Sequence, residues 1–593
     1  MRQCFWMLVV WVGAVGVRGG ETNVFAPYLN DEAPTIVETL SKGIEEGVEV
    51  TRFKYLSRVV PESGRKVIIY SVMARPTTQG PHPAVLVCHG GGGYADMVAS
   101  MVVGWAKRGF VSICQDQPGF CNRSKGSSTG PFMDKGASSF RIEDKPQDSA
   151  LFDGIAAALN GLRFLRSQPD VDKSRVGVFG GSWGGYMTTV VTGISGKRVR
   201  AAFSVYGCGY YDVASTWMHR LDSLGPAKKA IWLEHLDAGR RAKNLSAAYF
   251  VPSPANDWYF WPPAVMRTLA DMQGERNYCF MANDSHSLRE PGGMSGPPKV
   301  DHRRNRTYME IVWLEYWLQG KGKPFPRCKA TGEPKREGNA ARVAFEVDGP
   351  LPITRATVWH AAGELPWRMK WWAPAPATLK DGRYTALVPV EEPDQPIHWF
   401  AVVTDERNVS VSTLVRTLEP KAIGFKAEGY PVARFRQGFE DRVEHRRWRM
   451  KYADRRPGRH RVRPEAARTG KYGLLVQPGK STVCCFGLRA ATLKRSGAKA
   501  IRFWARAVDK PCPLPVVDVQ AEIADSRRTQ WRWAKAPKTL VGTQWQAIDV
   551  PLAELEFVGK GEPPVPMLSP CLGQLRFTTT PETHLYLDDV VAQ

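Results

Sequence analysis

A chain of 593 residues, 43% of them hydrophobic and 10% aromatic, is too long for one compact core and too apolar to be disordered, so it should divide into about three or four domains. The formal net charge of +23 is uneven, about 13 of it lying from Pro431 onward. No recognisable nucleic-acid-reading motif accompanies that charge, so nucleic acid is excluded as the expected partner.

In chain order, Arg2 precedes an apolar run from Phe5 to Val17, followed by small residues as far as Gly20. The run is too short to span a bilayer comfortably, so residues 1–20 are expected to be a cleaved signal peptide and the protein secreted or periplasmic. No later segment is apolar for long enough to be a membrane helix. TRFKYLSRVV and KVIIYSVMARP flank a Pro-Glu-Ser-Gly turn and read as a hairpin. AVLVCHGGGG, FVSICQDQPG, RVGVFGGSWGG, RAAFSVYGCG, AAYFVPSPAND and NYCFMANDSHS are short apolar runs that end in Gly, Asp, Asn or His, as buried parallel strands ending at an active edge do. A helix from about Asp148 to Ser167, with Asp148 or Ser149 as N-cap, another after Gly184, and RNRTYMEIVWLEYWLQ alternate with them. The fold expected is therefore α/β, a doubly wound sheet over residues 21–335, with TGEPKREGN as a linker.

Beyond the linker the helical period disappears. TRATVWH, RMKWWAP, RYTALVPV and HWFAVVTD, with an Asp381-Gly382 turn, read as a small β-sandwich over residues 336–425. YGLLVQP, AIRFWARAV, WQAIDVPL, QLRFTTT and HLYLDDVVA make a second all-β unit over residues 430–593. Its densest basic stretch, Arg442 to Lys471, reads either as a solvated loop or as a contact for an anionic polysaccharide or cell surface. The cysteine spacing forms no disulfide framework; Cys88, Cys114 and Cys279 sit in apolar strands as small hydrophobes. No metal-ligand spacing and no cofactor motif occur.

The chemistry gathers at the strand ends. Ser182 stands in Gly180-Gly181-Ser182-Trp183-Gly184-Gly185, between a buried strand and a helix, where a sharp turn needs small neighbours and lifts the serine Oγ above the sheet. His89-Gly90-Gly91-Gly92-Gly93 ends another strand, and the N–H groups of Gly91 and Trp183 can form an oxyanion hole. His89 itself is expected to order that loop. A serine needs a base and the base an orienting carboxylate. His286 follows the last strand, and Asp257 follows the one before it, 29 positions earlier, in the order Ser, Asp, His. Asp284, two residues from His286, reads as a turn former.

On RFLRSQPDVDKSRVGVFGGSWGGYMT, the glycine loop and CQDQPGF, residues of about 50 to 320 resemble the α/β-hydrolase superfamily, in the branch of acetyl xylan esterases, cephalosporin C deacetylases and prolyl oligopeptidases. SPANDWYFWPP departs from the Gly-x-x-Asp turn common in that branch. FEDRVEHRRW and LYLDDV resemble jelly-roll carbohydrate-binding modules. The resemblance implies a serine hydrolase without cofactor, acting on carboxylic esters of carbohydrate. Two alternatives stand beside it: a serine peptidase of the prolyl oligopeptidase type, and a non-catalytic polysaccharide-binding protein. The segment before the glycine loop holds a hairpin and little else, which favours the esterase, because prolyl oligopeptidases place a propeller there.

Overall fold

The computed structural model describes residues 23–122, 124–131, 133, 139–286, 288, 302–440, 448–451, 460–479, 482–522 and 530–593. The apolar run at residues 1–20, and the basic residues Arg446 and Arg447, lie outside them. Among the described residues no helix is long and apolar enough to cross a membrane.

A nine-stranded sheet forms the N-terminal half: β1 (Ile36–Glu45), β2 (Val48–Val59), β3 (Lys66–Arg75), β4 (His82–Cys88), β5 (Val111–Gln115), β6 (Val171–Gly181), β7 (Ala201–Val205), β8 (Ala248–Pro254) and β9 (Arg276–Met281). Their order is β1-β2-β3-β5-β4-β6-β7-β8-β9. The first three strands are antiparallel meanders, and β5 through β9 run parallel. The expected hairpin is β2–β3; β1 is an additional edge strand, exposed over nearly its whole length, whose apolar residues Ile36, Val37, Leu40 and Ile44 are too scattered to make a continuous apolar run. β4, β7 and β8 are buried throughout, which is why they read as continuous apolar runs.

Helices α1 (Ala99–Ala106), α2 (Ala150–Ser167) and α3 (Trp183–Ser195) connect the strands, and a further helix spans His302–Gln319. Ser149 caps α2, its hydroxyl accepting from the N–H groups of Leu151 and Phe152. α2 is not a one-faced helix. Its first three turns are buried all round, because Phe25 stacks on Phe152 from outside and Tyr55 of β2 donates to the Ala157 carbonyl. The chain leaves β4 toward β5 on one side and later enters β6 on the other, so the strand order reverses between β4 and β6, the point at whose carboxyl ends sheets of this kind bind their ligands.

Two five-stranded antiparallel sheets follow. One already contains Arg327–Ala330 and Lys335–Glu337, paired with Ala340–Asp348. TGEPKREGN is therefore part of this β unit and not a linker, and the unit begins before residue 335: its charged strand is exposed and carries no apolar signal. Asp381 and Gly382, both at positive φ, make the expected two-residue hairpin. RMKWWAP corrects a second expectation: only Ala373–Pro376 is a strand, while Trp367–Met369 is a 3-10 turn, and the buried side chains of this run serve packing between units. The last unit has two six-stranded antiparallel sheets. One apolar core runs from Phe25 to Phe425, through the α/β sheet and the first β unit together; a second covers Phe435 to Ala592. Most of the described cysteines are buried.

Candidate active site

Ser182 terminates β6 at φ 60° and ψ −123°, a conformation that L side chains adopt only where the surroundings enforce it. The enforcement is steric. A Cβ on Gly180 would come to 2.5 Å from the Gly184 carbonyl oxygen and 2.7 Å from that of Cys88, and one on Gly185 to 2.5 Å from that of Val205. The elbow is thus wedged between the backbones of β4 and β7, and Gly180, Gly184 and Gly185 have no room for a side chain.

The loop after β4 lies on the elbow. A Cβ on Gly90 would stand 3.6 Å from Ser182 Cβ, and one on Gly91 2.6 Å from the Trp183 indole. Gly92 and Gly93 spend their N–H groups on the carbonyls of Phe120 and Gly90. His89 is buried and works inside the loop: its Nε2 accepts the Gln117 N–H at 3.0 Å, and its Nδ1 lies 2.8 Å from the Gly90 carbonyl. Burial lowers its pKa, keeping the ring neutral and able to accept.

The structure brings Asp257, His286 and Ser182 into one line. His286 Nε2 is 2.8 Å from Ser182 Oγ, and its Nδ1 is 2.9 Å from Asp257 Oδ2. Asp257 is fully buried, and its Oδ1 also accepts from the N–H groups of Tyr259 and Phe260, at 2.6 and 3.0 Å. Those two bonds form a tight turn in SPANDWYF, which does the positioning that a Gly-x-x-Asp turn would do. Asp284 lies on the same loop as His286, and its backbone carbonyl accepts from Asn256 N. The imidazole is held by rings on three sides, Tyr206 at 4.7 Å, Tyr259 at 4.6 Å and Phe260 at 5.9 Å, and keeps 23% of its side chain exposed. On the other side of the serine, Trp183 is packed by Phe120, Phe140, Tyr186 and Trp217 at 5.0 to 5.9 Å. An oriented base on a half-open edge, beside a hydroxyl and an apolar wall, can deliver a nucleophile to a carbonyl carbon.

Among the described residues one cluster, His89, Asp116 and Cys121, has the spacing to hold a cation. The Asp116 carboxylate already accepts from the N–H groups of Ala95, Ser127 and Ser128 and from the Ser128 hydroxyl, and His89 is engaged on both nitrogens, so the cluster does not fit a metal. Sequence reasoning missed Tyr206, at φ 62°, and the two asparagines that flank the acid and base, Asn256 and Asn283. The signal for the asparagines was their place beside Asp257 and in ANDSHS.

Residues 69–231 match the model of the Dienelactone hydrolase family, a span that contains the glycine loop and Ser182 and ends before Asp257. The chain thus carries an α/β-hydrolase domain of that hydrolase family. Solved structures similar to it include acetyl xylan esterase 1 from Thermoanaerobacterium sp. JW/SL YS485, at 18% identity and TM-score 0.37, with 49% of this chain and 90% of that one covered. The acylaminoacyl peptidase of Pyrococcus horikoshii matches at 17% identity and TM-score 0.33, with 49% of this chain and 52% of that one covered.

Proposed function

We propose that this chain is a secreted or periplasmic serine esterase that removes acetyl or related acyl groups from polysaccharide. The observation that carries the reading is the unbroken line from Asp257 through His286 to Ser182, at 2.9 and 2.8 Å. Ser182 Oγ attacks the ester carbonyl carbon while its proton passes to His286 Nε2, and the carbonyl π pair moves onto oxygen. The N–H groups of Trp183 and Gly91 receive that charge. Collapse of the tetrahedral adduct breaks the bond to the alcohol oxygen, which takes the proton from His286. Water then attacks the acyl-serine, with His286 as base again, and releases the carboxylic acid. Asp257 holds the imidazole and stabilises its charged form.

An ester leaving group departs with less protonic help than an amide, which suits an imidazole that stays partly open to solvent. Contact with acidic polysaccharide is supported by the outer face of the last unit. There the Arg468 guanidinium lies 3.8 Å from the Trp504 ring centre, and that of Arg506 lies 5.4 Å from Trp545 and 4.7 Å from Tyr586. Sugar rings stack on such aromatics and carboxylates pair with such cations.

The test is labelling by a fluorophosphonate probe with and without Ser182→Ala, followed by acetate release from acetylated xylan and from nitrophenyl acetate against aminoacyl anilide cleavage at equal enzyme. Labelling that depends on Ser182, with acetate release, is expected. Anilide cleavage without acetate release would replace the esterase by a peptidase.

A further inference from the structure

The run WRMKWW of the first β unit, residues 367–372, lies against both loops that carry the proton relay. Asn256, next to Asp257 in sequence and 1% exposed, donates through Nδ2 to two carbonyls of this run, Trp367 O at 3.0 Å and Lys370 O at 2.7 Å. Asn283, three residues before His286, pairs with Trp372 in both directions: Nδ2 donates to its carbonyl at 2.7 Å, and Oδ1 accepts its N–H at 2.9 Å. The two loops are also tied to each other, Asn256 N donating to Asp284 O at 3.2 Å. Asn283 sits at φ 60°, a strained conformation that the paired amide holds in place.

The run is braced from behind. Lys370 Nζ donates to the carbonyls of Ala362 and Gly363 at 2.7 and 2.9 Å, and the Trp367 ring stacks on His398 at 4.8 Å. Arg368 forms an ion pair with Glu522 of the last β unit, the two side chains being 10% and 4% exposed. Met369 packs on Gly573 of the same unit, where a Cβ would come to 2.5 Å from the Met369 sulfur.

We propose that residues 366–372 are a positioning strut for the reaction, with Asn256 and Asn283 as positioning residues, and that through Arg368 and Glu522 the C-terminal β unit helps set where Asp257 and His286 stand. The inference rests on the Ser182 reading above. The physical ground is that loops are the least fixed parts of a fold, while a displacement of about 1 Å at a reacting group costs up to about 100-fold in rate. Four side-chain amide bonds to the first β unit fix the two loops that bear the relay.

The test uses the full-length chain with Asn256→Ala, Asn283→Ala and Glu522→Gln, comparing kcat/KM on nitrophenyl acetate and on ethyl acetate. This ratio reports acylation, in which nitrophenolate leaves unprotonated but ethoxide needs the proton held by His286. Misplacing His286 should lower kcat/KM by about 10-fold on the nitrophenyl ester and about 100-fold on the ethyl ester for each asparagine variant. Glu522→Gln should move the same ratio in the same direction by about threefold, and it decides alone if the asparagine variants do not fold. Loss of folded protein lowers both esters by one common factor. Equal losses on the two esters, or wild-type ratios throughout, overturn the strut. A wild-type chain that neither takes a fluorophosphonate label nor turns over ester overturns the Ser182 reading, and the strut with it.

Discussion

Asp257→Asn is the sharpest perturbation of the proposed relay. Asp257 is fully buried and accepts from Tyr259 N, from Phe260 N and from His286 Nδ1, so asparagine can keep the turn but must use its carbonyl oxygen to do so. The amide NH2 then faces His286 Nδ1, and a donor meeting a donor drives the ring into the tautomer that carries its proton on Nε2. In that tautomer His286 donates to Ser182 Oγ and can no longer accept from it. A wrong-tautomer substitution of this kind costs about 10⁴ in kcat, equivalent to about 5.4 kcal/mol of transition-state stabilisation. Asp284 ties the base's loop through its backbone carbonyl, which accepts from Asn256 N, so Asp284→Asn keeps that bond and should stay within about threefold of wild type. The assay is kcat for nitrophenyl acetate at pH 7.5, with thermal unfolding as the control for folding. If Asp284→Asn is the more damaging of the two, the assignment of the carboxylate is wrong. Ser182→Ala and His286→Ala should each cost about 10⁴ or more, and the double variant little beyond either, because the two side chains act as one unit.

Further predictions follow from packing and charge. Gly184→Ala should destabilise by about 3 kcal/mol or more, since its Cβ would collide with the Cys88 carbonyl, whereas Gly104→Ala in α1, with nothing within 4 Å, should stabilise by about 0.5–1 kcal/mol; melting temperatures separate them. Lys370 is 1% exposed, and burial, partly offset by Glu364, pushes its ammonium down to about 7. The unfolded chain keeps that proton to about pH 10.4, so it binds more protons between the two values, and the stability contribution of Lys370 rises with pH through that window and is least favourable below it. Urea unfolding at about pH 6.5 and about pH 9.5 should therefore show wild type gaining on Lys370→Met at the higher pH, and a pH-independent difference would count against the argument. Retention of the full chain on an immobilised acidic polysaccharide should fall as salt shortens the Debye length from about 10 Å at 0.1 M, and Arg506→Gln should weaken it; retention indifferent to both leaves that surface without a binding role.

Much of this architecture is local information that a sequence carries in plain form. Strands buried on both faces must be continuous apolar runs, and an elbow wedged between two backbones needs glycine two residues before its serine and two and three after it, so β4 to β9 and Gly180 to Gly185 were legible as residues in a row. The identities of Ser182, Asp257 and His286 as residues that meet were legible too, because the topology returns each strand end to one edge. What only the tertiary structure decided lies where a residue's role depends on a distant surface. β1 has no continuous apolar run and Lys335–Glu337 no apolar residue, and pairing makes them strands. RMKWW has the composition of a strand, yet its backbone is shaped by Asn256 and Asn283 on one side and Glu522 on the other, more than 80 residues away in each direction. Side-chain amides pairing with backbone across two units leave no periodicity in either segment, so nothing in the sequence marks the partner until the chain has folded.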